Sequence, residues 1–272
     1  METQRSKAAS FLALHTDSPP LLLPNPWDAG VARLFSWLGF KALATTSSGF
    51  AATRGRLDGS MGRDAVVEHA ASIVDATELP VSADLENGFG EAPHTVAETV
   101  RMALDAGLAG CSIEDSTGRG DAPIFDVTLA AERVAAAAEV AHAGPVHLVL
   151  TGRAENHLHG IDDLAETIAR LQAYQQAGAD VLYAPGLTGI DEIRHLVASV
   201  DRPVNVLARP DGPTVADLAG AGVSRVSVGG ALCFAALGAV TEAAIELRDH
   251  GTFGFWEQAL TGQRATRAAF VD

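Results

Sequence analysis

The sequence predicts an α/β protein, a (β/α)8 TIM barrel. Three observations carry this: short apolar runs alternate eight times with amphipathic stretches, the runs are apolar on both faces, and the length suits such a barrel. Strands apolar on both faces sit between helices and pair in parallel. At 272 residues the whole chain, 1–272, is read as one barrel domain with an N-terminal helix and a C-terminal helical extension. A doubly wound open sheet is the alternative.

The residues before Leu21 form a helix that caps the barrel's base. "LLLP" (21–24) then precedes a helix from about Asp28 to Leu38, and "ALATTS" (42–47) precedes one from about Arg63 to Thr77. "VSADL" (81–85) leads into a helix at 94–106, and "CSIED" (111–115) leads into the alanine-rich 128–142. "HLVLTG" (147–152) is followed by 162–176, and "VLYAP" (181–185) by a short helix at 190–198. "VNVLA" (204–208) precedes 214–220, and "RVSVGG" (225–230) precedes 231–249. "AGAD" (177–180) and "AGVS" (221–224) put glycine where a helix must end before a buried strand, as a left-handed cap requires. The closing "HGTFGFWEQALTGQRATRAAFVD" carries four aromatic residues, too many for a solvated tail, and is expected to pack on the barrel or on another subunit.

No run approaches the roughly 20 apolar residues that span a bilayer, so no membrane role and a cytoplasmic location are expected. The formal charge of −15 repels phosphate backbones and excludes nucleic acid as a partner. It leaves room for a small anionic substrate only where an arginine or a bound cation supplies positive charge. Cys111 and Cys233 lack a CxxC partner and read as buried thiols.

In a parallel barrel the strand C-termini line the mouth, so polar residues there are candidates for chemistry. Asp84 and Glu86 close the third strand, two positions apart and so on one face; Glu114 and Asp115 close the fourth; Arg153 and Glu155 follow the fifth. Three carboxylates from neighbouring strands repel unless they share a proton or a cation. Oxygen ligands without Cys or His favour Mg2+, with Mn2+ as the alternative. The competing explanation is a polar layer neutralised by Arg153 and backbone amides. Arg153 suits an anionic substrate group as well as it suits a counterion role.

Ser47, Ser48 and Gly49 in "TTSSG" (45–49) offer backbone amides to a carboxylate. "RGRLDGSMGR" (54–63) has the length and glycine content of a mobile lid, or of an ordinary surface loop. "SVGG" is a candidate phosphate cradle, or it permits tight helix packing. His157 and His159 read as surface residues.

Taken in order, "NPWDAGVARLFSWLGFKALATTSSGFA", "DLENGFG", "IED", "TGRAEN" and "AYQQAGADVLYAPG" resemble the isocitrate lyase/phosphoenolpyruvate mutase superfamily over about residues 25–230. The resemblance implies Mg2+ held at the positions of Asp84, Glu86 and Glu114, and a 2-oxo acid carboxylate bound by Ser47, Ser48 and Gly49. It implies Arg153 as the substrate-binding arginine, and Arg153, Glu114 and the lid residue Asp58 as the catalytic set. It also implies a homodimer or homotetramer whose last helix is exchanged between subunits. Members of the superfamily make or break a C–C or P–C bond next to a 2-oxo acid through an enolate, where a preplaced cation stabilises the developing charge.

Departures narrow the reaction. Isocitrate and methylisocitrate lyases carry a K-[KR]-C-G-H motif after the fourth strand; here the segment is "STGRGDAP" (116–123), without Cys, His or Lys. The D-x-N of phosphonopyruvate enzymes is incomplete around Asp58, and Glu86 and Glu155 stand where aspartates are common. The expected function is Mg2+-dependent C–C cleavage of a small 2-oxo or 2-hydroxy (di)carboxylic acid. The alternatives are phosphonopyruvate mutase or hydrolase chemistry, a phosphate-binding isomerase or synthase barrel, and a catalytically silent binding barrel.

Overall fold

Eight parallel strands form one sheet in the computed structural model, which describes residues 2–270. They are β1 (Leu21–Leu23), β2 (Leu43–Ala44), β3 (Val81–Asp84), β4 (Gly110–Glu114), β5 (Val149–Arg153), β6 (Val181–Tyr183), β7 (Val204–Leu207) and β8 (Arg225–Ser227). The order β1-β8-β7-β6-β5-β4-β3-β2 leaves only β1 and β2 without a ladder among the described residues. That seam is held by the Ala44 amide donating to the Pro24 carbonyl at 3.1 Å and by the Asn25 side chain donating to the Thr45 carbonyl at 3.0 Å. The sheet is thus a nearly closed (β/α)8 barrel, as the alternating apolar runs require.

The helices are α1 (Glu2–Ala13), α2 (Ala29–Trp37), α3 (Ser47–Thr53), α4 (Arg63–Asp75), α5 (Pro93–Asp105), α6 (Val127–His142), α7 (Leu164–Gln176), α8 (Ile190–Ala198), α9 (Val215–Gly220), α10 (Ala231–His250) and α11 (Trp256–Ala269). Local chemistry sets their starts: Asp28 accepts from the Val31 amide at 2.8 Å, Asp163 from Glu166 at 3.0 Å, and Thr214 with Asp217 forms a capping box. Gly178 and Gly222 end α7 and α9 with φ of 105° and 84°, the left-handed caps expected of them.

α1 covers the N-terminal ends of the strands. Phe11 is fully buried there, against Gly110, where a Cβ would come within 2.8 Å of the Phe11 ring. The Gln4 amide donates to the carbonyls of Leu104 and Leu108 at 2.8 and 3.0 Å. Both cysteines are buried free thiols. No helix of the described residues is long and apolar enough to cross a membrane.

α10 buries only Cys233 along its 20 residues, while Leu232, Phe234, Leu237, Val240, Ile245 and Leu247 are exposed. The aromatic tail folds as α11 and packs against α2, with Phe253, Trp256 and Phe270 still partly exposed.

Two local features differ from the sequence expectation. The "TTSSG" segment is the start of α3, because the Thr46 hydroxyl caps it by accepting from the Gly49 amide at 3.3 Å. Glu86 lies outside β3, in a turn at φ 49°, so it does not share a strand face with Asp84.

Candidate active site

The C-terminal ends of the strands enclose a cavity of about 190 Å³, with Arg153, Asp84 and Asp58 among its walls and Arg225 and Asn205 deeper in the barrel. Arg153 ends β5 and organises the acids. Its Nη1 lies 3.2 Å from Glu114 Oε2 and 3.5 Å from Asp84 Oδ1, and its Nε donates to Glu155 Oε1. The strand ladder explains the meeting, since Glu114 is the registered neighbour of Arg153.

The electrostatics follow from crowding in a partly dry site. Burial, opposed by Arg153 and reinforced by Glu155, Asp84 and Glu86, pushes the Glu114 carboxyl well above the carboxylate range. Glu155 is likewise pushed up by burial against the pull of Arg153. Burial works against the Arg153 charge, but Glu155, Glu114 and Asp84 outweigh it and hold the guanidinium protonated. Burial, then the charges of Asp84 and Asp58, raises Glu86 to about 7.

Glu86 also carries a buried Oε1 without a hydrogen-bond partner. Its amide donates to Asp84 Oδ1 at 3.2 Å, so the turn draws a second acid toward Asp84 despite the left-handed backbone. An orphaned carboxylate oxygen beside two further acids suits a hard divalent cation. The oxygens of Asp84, Glu86 and Glu114 do not gather within 4.8 Å of one another. Mg2+ tolerates that spacing because it keeps waters between itself and its carboxylates.

Below Arg153 lies a second buried cation, which the sequence reading missed. Arg225 is 4% exposed and has no carboxylate hydrogen-bonded to it; Nε donates to Asn205 Oδ1 at 2.9 Å and Nη2 to Thr151 Oγ1 at 3.1 Å. Its Nη1 lies 3.1 Å from His15 Nε2, and His15 Nδ1 lies 2.8 Å from the Phe11 carbonyl. The assignment that satisfies both contacts is a neutral His15, donating from Nδ1 and accepting at Nε2. Burial, then the Arg225 charge, lowers His15 to about 3, in keeping with that tautomer. Burial alone lowers Arg225 to about 10, leaving it charged at neutral pH.

Ser47, Ser48 and Asp58 line the cavity. The Ser47 amide donates to Asp84 Oδ2 at 3.3 Å, tying α3 to β3. Gly49 is buried, and a Cβ there would meet Thr46 Cγ2 at 2.6 Å, so close packing accounts for the glycine. Gly229 and Gly230 reach the cavity, but the amides of Val228 and Gly229 donate to Asn25 Oδ1 at 3.0 and 2.9 Å. Asn25, not a phosphate, fills that cradle, which removes the main support for a phosphate-binding barrel. The signal for Asn25 was its place directly after the first strand.

Asp115 points away from the mouth, into the contact of β4 with α7, where Arg170 and Tyr174 hold it. His157 differs from the surface expectation: its side chain is 7% exposed, with Nε2 2.9 Å from Thr167 Oγ1. His159 is exposed.

A family model described as phosphoenolpyruvate phosphomutase matches residues 11–248. The chain belongs to the phosphoenolpyruvate phosphomutase family, within the isocitrate lyase/phosphoenolpyruvate mutase superfamily. The chain is similar to an uncharacterized protein of Mycobacterium tuberculosis, 34% identical over 242 residues, covering 88% of this chain and 89% of that protein. A solved structure from Burkholderia cenocepacia, provisionally described as a lyase/mutase, is 52% identical with a TM-score of 0.96, covering 100% of this chain and 98% of that one. Oxaloacetate acetylhydrolase in complex with its product oxalate is 27% identical with a TM-score of 0.85, over 97% of this chain and 94% of that one. Phosphonopyruvate hydrolase in complex with oxalate and Mg2+ is 25% identical with a TM-score of 0.82, over 96% of this chain and 97% of that one. The superfamily is one of Mg2+-dependent C–C lyases and mutases.

Proposed function

We propose that this protein is a Mg2+-dependent carbon–carbon lyase acting on a small 2-oxo or 2-hydroxy dicarboxylate of the oxaloacetate type. The observation that carries the reading is Arg153, a buried guanidinium set between Asp84, Glu114 and Glu155 in a small polar cavity. Cleavage beside a 2-oxo group leaves an enolate, and a fixed cation already in place stabilises that charge without reorganisation. Arg153 binds the anionic 2-oxo end of the substrate and orients it by its planar fork. Ser47 and Ser48, with the amides of the Ser47–Gly49 turn, bind the adjoining carboxylate. Asp84, Glu86 and Glu114 would hold Mg2+ and its waters; bound there, the ion supplies Lewis-acid polarisation of the 2-oxo oxygen.

The loop of residues 54–62 acts as the lid, with Asp58 as its substrate contact. Leu57 in that loop is 85% exposed. The enolate must finally take a proton, and the Ser116–Pro123 segment has no thiol to give one. Tyr183 lines the cavity, and burial raises its hydroxyl to about 12, so it is protonated at neutral pH.

Asp58 at the cavity wall favours a second reading, P–C bond chemistry on phosphonopyruvate, with the lid aspartate near the transferring group. The test incubates the protein with oxaloacetate, 2-methylmalate-type hydroxy acids and phosphonopyruvate, each with Mg2+ and with EDTA. The expected result is oxalate or pyruvate release that EDTA abolishes. Phosphate release or rearrangement in phosphorus NMR supports the second reading, and undiminished turnover in EDTA sinks both.

The chain is further proposed to work as a homodimer or homotetramer that exchanges α10, whose apolar residues otherwise stand in water. Sedimentation equilibrium is expected to give at least twice the chain mass; a monomer at micromolar concentration would refute it.

A further inference from the structure

At the opposite end of the barrel from the cavity, the α6–β5 link meets the α7–β6 link. His142 ends α6, His147 lies in the link to β5, and Asp180 immediately precedes β6. Nε2 of His142 lies 3.0 Å from Asp180 Oδ2, and Nε2 of His147 lies 3.0 Å from Oδ1. The two imidazoles stack with centroids 4.1 Å apart and planes within 4°. One donor atom from each of the three residues lies within 4.8 Å of the others.

A doubly protonated ion-pair cluster is disfavoured here. Two imidazolium rings at this separation repel, by about 1 kcal/mol in water and more beside protein, and one carboxylate neutralises only one of them. Two neutral rings each donate an Nε2–H to the carboxylate beside the Leu150 amide at 2.9 Å, and the same Nε2 atoms become ligands when those protons leave. A divalent cation uses both Nε2 lone pairs and the carboxylate together once the two rings tilt out of their parallel stack toward it. A tetrahedral ion with ligands at about 2.1 Å separates its donor atoms by about 3.4 Å, so each imidazole nitrogen, 3.0 Å from Asp180, moves only a few tenths of an ångström to bind.

The surroundings are those of a built site. Asp180 is fixed: its side chain is 9% exposed, and the Leu150 amide orients the carboxylate as a second-layer donor does in metal centres. Burial works against its charge, but the His142 hydrogen bond, the Leu150 amide and the charges of His142 and His147 hold Asp180 below the usual carboxylate range. The imidazoles, 27% and 44% exposed, leave a path for an ion and a place for a water ligand. Imidazole donors discriminate against Mg2+ and select borderline ions.

We propose that His142, His147 and Asp180 form a second cation site, for Zn2+ or a similar borderline divalent ion, on the N-terminal face of the barrel. It staples the end of α6 and the link after it to the start of β6, and it is independent of the acids at the mouth.

The test is thermal unfolding of metal-stripped protein with Zn2+ or Mg2+ added. At a hundredfold excess over its dissociation constant, Zn2+ is expected to raise the Tm by about 5 °C through mass action. Mg2+ should give no such rise in the Asp84→Asn variant, whose mouth site is disabled. The double variant His142→Ala/His147→Ala should lose the Zn2+ response. An equal response in the double variant, or none in the wild type, overturns the proposal. Should the double variant fail to fold, Co2+ added to the wild type gives the readout: visible ligand-field absorption that Zn2+ displaces supports the site. Histidine nitrogen NMR then assigns it, with two of the nine histidines expected to convert to metal-bound Nε2. No conversion overturns it.

Discussion

Replacing Arg153 with alanine is expected to lower kcat/KM for the proposed lyase reaction by about 1000-fold, the effect of deleting a preplaced donor at a developing oxyanion. The same side chain neutralises the site, so the loss reaches stability too. Glu114, Glu155 and Asp84 each lie within 3.5 Å of its guanidinium. Without that charge the acids face one another, and burial already drives Glu114 and Glu155 upward. The variant should therefore take up protons near neutral pH on folding, a response that potentiometric titration reads directly. Arg153→Lys separates the two roles. It keeps the positive charge and should keep the fold, but it loses the planar fork, so kcat/KM should still fall by about 100-fold while the Tm stays within a few degrees. If Arg153→Lys turns over like the wild type, the arginine is a counterion only and the substrate-binding assignment fails.

The sequence carried the barrel because its evidence is periodic. Each strand run from "LLLP" to "RVSVGG" is largely apolar, and some of the helices that follow are capped by local chemistry such as Asp163 or Thr214. What periodicity cannot show is pairing across the barrel. Asn205 and Arg225 sit inside apolar runs and look like isolated polar residues until the register sets them opposite one another. Only then does the buried cation beneath Arg153 become visible. His142, His147 and Asp180 were illegible for the same reason, since their meeting brings together two different helix–strand links, α6–β5 and α7–β6.

The mouth acids were legible because strand ends name their own neighbours: Glu114 and Arg153 end adjacent strands in register. Glu86 was placed there for the wrong local reason. It reaches Asp84 through a left-handed turn, a conformation that the sequence "DLENGFG" does not reveal when glutamate rather than glycine adopts it. The seven-residue α3 escaped because two turns are too short for helical periodicity to register.

The largest stability effect is expected at Asp115, one residue past Glu114 and on the opposite side of the barrel wall. Its side chain is 1% exposed. One oxygen accepts from the Tyr174 hydroxyl at 2.6 Å and from Arg170 Nη1 at 3.1 Å; the other accepts from the Glu155 amide at 2.8 Å. Asp115→Ala strips all three donors in a dry interior. Arg170 keeps Glu166 and the Phe125 carbonyl, which softens the loss. Tyr174, whose hydroxyl burial and then Asp115 hold protonated, and the Glu155 amide have no such substitute. Breaking a buried charged pair from one side costs about 3–5 kcal/mol. For a chain of this size that corresponds to a fall in Tm of about 10 °C, measurable by calorimetry. Asp115→Asn keeps the shape and one acceptor but turns an N–H toward Arg170, so it should fall between alanine and wild type. The amide of Glu155 links this interior network to the mouth, because the Glu155 carboxylate holds Arg153 Nε. Asp115→Asn is therefore expected to raise KM through a displaced Arg153, even at a temperature where the variant is fully folded. A Tm within about 2 °C of wild type for Asp115→Ala would show that the network is not what joins β4 to α7.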